Sequence, residues 1–218
     1  MNQSQATTTG FADSPVSIYD RFTSLYDLMF RFNRYRASVE RYLRENPLPL
    51  PAGARILDAG CGTGLLTLAL LRVLARPARI TAVDLSARSL QTARRAVRKS
   101  RPDPRHEVSF VRANVLSLPF PDSTFDLVVT SGVLEYLPLR DGLGELARVL
   151  APGGHLFFLP VRPSPASRLL EIMFRFKAHP PREVAENTGC FFRVIENYRF
   201  PALEPIGWTK TVVLAQKP

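Results

Sequence analysis

Apolar positions along this chain fall into two regimes: short, nearly continuous runs that predict buried strands, and longer stretches with helical spacing between them. The first run, beginning at Arg55, reads Ile56, Leu57, Asp58, Ala59 and passes into Gly60, Cys61, Gly62, Thr63, Gly64; Leu65 to Leu74 then continue as an almost unbroken apolar helix. Arg79 to Asp84 predicts a second strand, again ending in an acid. Ser86 is a fitting N-cap for a helix through Lys99, with Leu90, Ala93 and Val97 on one face and Arg88, Arg94, Arg95 and Arg98 on the others. Val108 to Val115 and Phe125 to Thr130 predict the third and fourth strands. A helix over Leu139 to Leu150 meets Pro152, Gly153 and Gly154 as a stop, and His155 to Val161 predicts a fifth strand. Helical spacing returns over Ser164 to Lys177 and Pro181 to Thr188, and Phe191 to Phe200 and Thr209 to Gln216 alternate as strands. Repeated strand and helix units imply an α/β fold, a mainly parallel sheet with helices on both faces.

Before this core the pattern differs. Residues 1–14 are rich in Gln, Thr, Ser and Gly without an apolar period, which predicts a disordered tail. Ile18, Phe22, Leu25, Met29, Phe32 and Tyr35 recur at helical spacing among Arg21, Arg31, Arg34, Arg36, Arg41 and Arg44, so a helical cap of one or two amphipathic helices is expected over 15–51. Pro47, Pro49 and Pro51 end it and stiffen the approach to the first strand. The main domain is then expected over 52–218.

Length and composition change this picture little. A chain of 218 residues, 45% of them apolar, fits one domain with a sizeable core. No run approaches the ~18–20 apolar residues of a membrane span, and Met1 to Pro15 lacks a charged start followed by an apolar block, so a cytoplasmic protein is expected. The two cysteines, Cys61 and Cys190, are far apart and have no metal-ligand company, which argues against a disulfide framework and a metal site. The net charge of +10 admits nucleic acid, acidic lipid headgroups or an anionic substrate as partners. Its basic residues are scattered from Arg21 to Lys217, so charge alone selects none of the three.

In a sheet of this kind ligands bind beyond the carboxyl ends of the strands. Asp58 closes the first strand and Asp84 the second, Asn114 ends the third, and Ser131, Gly132 and Glu135 follow the fourth. Asp84 suits a bidentate role on two ribose hydroxyls, a helix-terminal acid being the structural alternative. The glycine turn by itself fits any tight strand-to-helix connection. A G-x-G-x-x-G dinucleotide fingerprint begun at Gly60 would need glycine at position 65, where Leu65 stands, and no G-x-x-x-x-G-K-[ST] loop occurs. A nucleoside without a pyrophosphate is the better fit.

The segments ILDAGCGTG (Ile56 to Gly64), ITAVDLS (Ile80 to Ser86), NVLSLPF (Asn114 to Phe120), FDLVVTSGVLEYL (Phe125 to Leu137) and RVLAPGG (Arg148 to Gly154) together resemble the class I S-adenosylmethionine-dependent methyltransferases, over roughly residues 52–161. The resemblance implies a Rossmann-like three-layer sandwich with a seven-stranded, mainly parallel sheet and an antiparallel last strand, and S-adenosyl-L-methionine as cofactor. It implies Asp58, Gly60, Cys61, Gly62 and Gly64 around the methionine part, Asp84 on the ribose, and Leu85 against the adenine. Ser131 and Gly132 would lie near the sulfonium by their backbone. Where many relatives place an acid against the adenine amino group this chain has Asn114, followed by Val115; the amide oxygen of Asn114 can accept that bond. Tyr19 to Met29 is similar to the N-terminal segment of methyltransferases of ubiquinone and menaquinone biosynthesis and of related small-lipid enzymes, in which Tyr26 would close over the cofactor. The tryptophan usual downstream is replaced by Tyr35.

The reaction so implied is in-line displacement of a methyl group from a sulfonium by an oxygen, nitrogen, carbon or sulfur nucleophile. Alignment and removal of water can supply much of its rate, so a dedicated base is not obligatory. Glu135, Tyr136, His179 and Tyr198 could assist, but none has diagnostic spacing and structural roles fit them too. The acceptor pocket is expected to be walled by the N-terminal helix and by an insertion at about 162–180, which carries Leu169, Leu170, Ile172, Met173, Phe174 and Phe176 beside Arg168, Arg175 and Lys177. Such a helix suits a small apolar or lipid-like acceptor and peripheral membrane contact, or simply packs on its own sheet. Two alternatives stand beside this reading. One is an RNA methyltransferase, given the basic run Arg94, Arg95, Arg98, Lys99, Arg101 and Arg105, which lacks a base-stacking motif; the other is a cofactor-binding module without turnover.

Overall fold

Seven strands form one sheet in the order β3-β2-β1-β4-β5-β7-β6: β1 (Ala54–Ala59), β2 (Ala78–Asp84), β3 (Glu107–Arg112), β4 (Phe125–Ser131), β5 (Leu150–Leu159), β6 (Arg193–Arg199) and β7 (Thr211–Gln216). The computed structural model describes residues 35–201 and 203–218. β1 pairs in parallel with β2 and β4, β2 with β3, and β4 with β5, whereas β7 runs antiparallel to both β5 and β6. This is the mainly parallel sheet with an antiparallel last strand that the motifs implied.

The apolar runs explain the strand order. Ile56 and Leu57 of β1, Val128 and Val129 of β4, and Phe157 and Phe158 of β5 are all fully buried, because helices cover both faces of the central strands. The edge strands β3 and β6 alternate partly buried and exposed positions instead. Helices α1 (Tyr35–Glu45), α2 (Leu65–Val73) and α3 (Ala87–Ser100) pack Val39, Leu70 and Val97 with Ile56 and Phe157 on one face. Helices α4 (Leu139–Val149) and α6 (Pro181–Gly189) pack Leu143, Leu146 and Val184 with Leu57 and Phe158 on the other. Adjacent residues of one strand thus serve opposite layers, which is the three-layer sandwich. The helix α5 (Pro165–Phe174) contributes to neither cluster.

Several predicted boundaries move. β3 stops at Arg112; the chain turns at Asn114, whose Oδ1 accepts the Leu116 N–H at 3.0 Å and whose carbonyl accepts the Ser117 N–H at 3.0 Å. This side-chain turn offers the backbone an alternative to further ladder bonds. Pro152, Gly153 and Gly154 do not separate helix from strand: β5 already begins at Leu150, opposite Phe125, and a register shift absorbs the three residues before His155 pairs with Leu127. Gly153 sits at φ +74°, which a glycine adopts without strain. α5 ends at Phe174, before the left-handed Arg175. The cap expected over 15–51 is seen only as α1 and the proline segment, with the Glu40 carboxylate reaching Arg36 at 3.2 Å and Arg72 of α2 at 3.4 Å. The tail over 1–14, the helical spacing up to Arg34 and Tyr26 lie outside the described residues.

Candidate functional site

β1 and β2 end side by side, and the glycine turn bridges them. The N–H groups of Gly60 and Cys61 both donate to Val83 O at 2.8 Å, and Gly62 N–H donates to Asp84 Oδ2 at 2.9 Å. Ser86 N–H donates to the other oxygen, Oδ1, also at 2.9 Å, while the Ser86 hydroxyl caps α3 by accepting the Ser89 N–H at 3.1 Å. Asp84 therefore holds two loops in place rather than capping the helix itself.

Sterics require glycine at two turn positions. At Gly60, φ +73°, an added Cβ would lie 2.5 Å from the Val133 Cβ; at Gly64, φ +87°, it would lie 3.0 Å from the Ala93 Cβ of α3. Bare backbone thus faces the loop after β4 on one side and an approaching helix on the other. Asp58, 1% exposed, accepts a hydrogen bond from the Thr67 hydroxyl of α2, tying helix to strand. Burial pushes its carboxyl up to about 7; the Thr67 bonds oppose that, and the Asp84 charge adds to it.

These elements enclose a cavity of about 320 Å³. Asp58, Gly60, Cys61, Gly62, Asp84, Leu85, Asn114, Val115 and Ser131 all line it, joined by Gly132. Gly64 is not among the lining residues; its part is to let α3 come close. Leu85 is 44% exposed, an apolar surface turned to the ligand space. The thiol of Cys61, buried in the same wall, is pushed well up by desolvation and by the charges of Asp58 and Asp84, which keeps it protonated and unreactive. The segment that follows Asn114 and Val115 is held by α4: the Arg148 guanidinium donates to Leu118 O at 3.1 Å and Phe120 O at 2.9 Å, and Glu145 accepts the Leu118 N–H at 2.7 Å. The expectation for Asn114 is modified, since its amide oxygen already accepts the Leu116 N–H.

Sequence reasoning missed Tyr35 as a site residue. Its ring lines the cavity and its hydroxyl donates to Ser131 Oγ at 2.8 Å, so α1 closes the wall opposite the glycine turn. Burial raises the Tyr35 phenol far above its ordinary value, so it acts as a neutral donor. On the helix it reads as one more apolar-face aromatic, and its one signal is its place where the related enzymes usually carry a tryptophan. Val133 and Leu137 also line the cavity from positions that sequence alone reads as core.

The weak catalytic candidates separate. Tyr136 lines the cavity; its hydroxyl is buried without a hydrogen-bond partner among the described residues, and burial together with the Glu135 charge raises its pKa. Glu135 does not line it: Oε1 accepts the Val161 N–H, and Oε2, near Lys210, is buried without a hydrogen-bond partner among the described residues. Lys210, 2% exposed, donates to Leu159 O at 3.2 Å; burial lowers its pKa, partly offset by Glu135. His179 also lies off the cavity, its ring nitrogens 2.9 Å from Glu183 Oε1 and 3.3 Å from Leu134 O, a structural tie between α6 and the turn after β4. Tyr198 packs with Tyr42 and Phe200 in the α1 layer. Leu169 and Ile172, expected in the acceptor wall, are 61% and 76% exposed outside the cavity, whereas Phe176 packs on Tyr136 at 5.7 Å between ring centres. Among the described residues no group of three or more His, Cys, Asp or Glu side chains could hold a metal ion, and no helix is long and apolar enough to cross a membrane.

Residues 57–158 match the family described as a methyltransferase domain. The chain is 37% identical over 150 residues to the demethylmenaquinone methyltransferase of Thermus thermophilus, covering 68% of this chain and 66% of that protein. It is 30% identical over 147 residues to the 2-phytyl-1,4-naphtoquinone methyltransferase of Thermosynechococcus vestitus, covering 66% and 62%. The matched part of the chain spans less than two thirds of either relative. A solved structure of geranyl diphosphate C-methyltransferase from Streptomyces coelicolor A3(2), in complex with Mg2+, geranyl diphosphate and S-adenosyl-L-homocysteine, superposes with a TM-score of 0.68 over 85% of this chain and 80% of that one. At 19% identity this is a likeness of fold.

Proposed function

The chain belongs to the class I S-adenosylmethionine-dependent methyltransferases, and on that premise we propose that it transfers a methyl group to a small, apolar, lipid-like acceptor of the prenylated quinone kind. The residues present fit the cofactor. The Gly60 backbone lines the cavity with no side chain of its own, Asp84 stands beside exposed Leu85 as a polyol acceptor beside an apolar ring platform, and buried Asp58 can meet a cationic group. Bound there, S-adenosylmethionine supplies an electrophilic methyl group on a positively charged sulfur. The chain binds and orients: Asp84 holds the ribose, Leu85 and Val115 flank the base, and the turn from Gly60 to Gly62 presents backbone to the methionine part. Apolar walls from Leu65, Leu66, Val133 and Leu137 keep water from the reacting pair, which is where alignment and dryness gain rate.

The observation that carries this reading is the Asp84 carboxylate, fixed by the Gly62 and Ser86 N–H groups at the rim of one cavity with Leu85. The acceptor class rests on the two quinone-named relatives and on the apolar lining around Tyr136. Meeting such an acceptor at a membrane surface belongs to the same reading, as does the role of 162–180 as the substrate-facing insertion. The test is calorimetric titration with S-adenosylmethionine, then incubation with methyl-labelled cofactor and fractionated extract. Micromolar binding and label in the lipid fraction are expected. Absence of binding overturns the cofactor assignment, and label confined to RNA, or binding without S-adenosylhomocysteine release, overturns the acceptor assignment.

A further inference from the structure

α5 presents an unusual outer face. With 3.6 residues per turn, Arg168, Leu169 and Ile172 share one side of the helix. Leu169 is 61% and Ile172 76% exposed, while Ser167 and Phe174 on the other side are buried. A solvated helix normally turns polar residues outward; here the outward stripe is apolar at Leu169 and Ile172 and cationic at one margin, Arg168. Glu171 is the single acid within Pro165–Phe174.

Neighbouring elements extend that stripe. The Val161 bridge to Lys210 and the Arg162 N–H to Thr209 O bond of 2.8 Å set the start of α5 beside the short 3-10 turn Pro205–Trp208. Trp208 is 52% exposed there, and Leu203 just before it 96%. The chain leaving α5 runs directly onto the cavity wall: Lys177 N–H donates to Glu135 O at 3.2 Å, and Phe176 packs on Tyr136. The exposed apolar stripe and the cavity are therefore joined by three residues.

We propose that the outer face of α5 is a docking surface for an anionic lipid bilayer. Leu169 and Ile172 enter the headgroup region, Arg168 and Lys177 meet the acidic headgroups, and Trp208 settles at the interface. The complementarity of Arg168 and Lys177 with an anionic surface, beside the exposed apolar side chains of Leu169, Ile172 and Trp208, selects lipid over a protein partner. Seated this way, the protein turns the cavity rim at Phe176 toward the bilayer, so an apolar acceptor passes between lipid and cavity without crossing water. The inference rests on the lipid-like acceptor reading for its purpose but not for its test.

The test is flotation of the whole protein with phosphatidylcholine vesicles, with and without about one third phosphatidylglycerol. Wild type should float with anionic vesicles and lose partition as salt rises. Leu169→Asp combined with Ile172→Asp should lower that partition at least ~10-fold, and Arg168→Glu should lower it on anionic vesicles alone. Affinity for S-adenosylmethionine should be unchanged in both variants, which confirms folding, since none of these side chains lines the cavity. Wild type that stays in solution with anionic vesicles, or a double variant that floats as well as wild type, overturns the docking surface. A positive flotation result alongside absent methylation of lipid would instead overturn the acceptor assignment and leave the surface standing.

Discussion

The carboxylate of Asp84 and the backbone of Gly62 are joined by a hydrogen bond of 2.9 Å, although they belong to different strand ends 22 residues apart. The residue assigned to the ribose is thus also the strut that shapes the turn assigned to the methionine part. Asp84→Ala should weaken S-adenosylmethionine binding about 100-fold, because it removes a charged acceptor from ligand and turn together. Asp84→Asn, which keeps one acceptor oxygen, should weaken it about 10-fold. Titration calorimetry of both variants checks the order; equal affinity for Asp84→Ala and wild type removes the ribose assignment.

Gly60 should be intolerant of a single added methyl group. Gly60→Ala combines positive φ with a contact 2.5 Å from Val133 Cβ, and overpacking of this kind costs about 1–3 kcal/mol. The loss should show as a lower urea midpoint with an unchanged slope. Gly153→Ala, also at positive φ but with nothing within 4 Å of the new Cβ, should cost about 1 kcal/mol.

The Tyr35 to Ser131 contact is suited to a double-mutant cycle. Tyr35→Phe should destabilise by about 1 kcal/mol, because it leaves the Ser131 hydroxyl without its donor in a largely buried wall. Ser131→Ala added to it should then cost little more, giving a coupling of about 0.5–1.5 kcal/mol by denaturant unfolding. Additive losses would mean that the hydrogen bond contributes nothing to the closure of the cavity by α1.

Asp58 gives the protein a distinctive pH response. Its carboxyl is raised by burial to about 7 in the folded state, against about 4 when unfolded. The folded protein then holds the extra proton between those values, so this group stabilises at low pH and its contribution is lost as pH rises through about 7. Asp58→Asn should therefore gain melting temperature over wild type progressively from pH 5 to pH 8. A cationic ligand favours the ionised form, so affinity for S-adenosylmethionine should rise with pH up to about 7 and level off. Neutral adenosine should show no such dependence; a pH profile shared by both ligands would refute the assignment.

The chain's central architecture was legible because its strands are buried on both faces. Ile56, Leu57, Val128, Phe157 and Phe158 form runs that only a covered parallel sheet explains, and Asp58 and Asp84 fall at strand ends by counting alone. Legibility failed where side chains act across elements. Tyr35 precedes β1 by 19 residues and reaches Ser131 only once α1 has docked. Asn114 was assigned to a strand because its neighbours are apolar, while its side chain builds a turn. Glu135 and His179 carry catalytic chemistry in composition, yet the structure uses them to hold Val161 and Leu134. Pro152, Gly153 and Gly154 read as punctuation, but the pairing of Leu150 with Phe125 begins before them.

β7 lies between β5 and β6 although it follows both in sequence. Among the described residues β6 has no neighbour in the sheet other than β7. During vectorial synthesis, then, β6 leaves the ribosome before its native partner β7, and the half of the sheet beyond β5 closes only when Thr211 to Gln216 arrive. A ribosome-stalled chain ending before Thr211 would leave the edge of β5 open, a template for pairing with another chain. Assembly of this region is an insertion between two waiting strands, so its timing is set by the last strand of the sheet to be made.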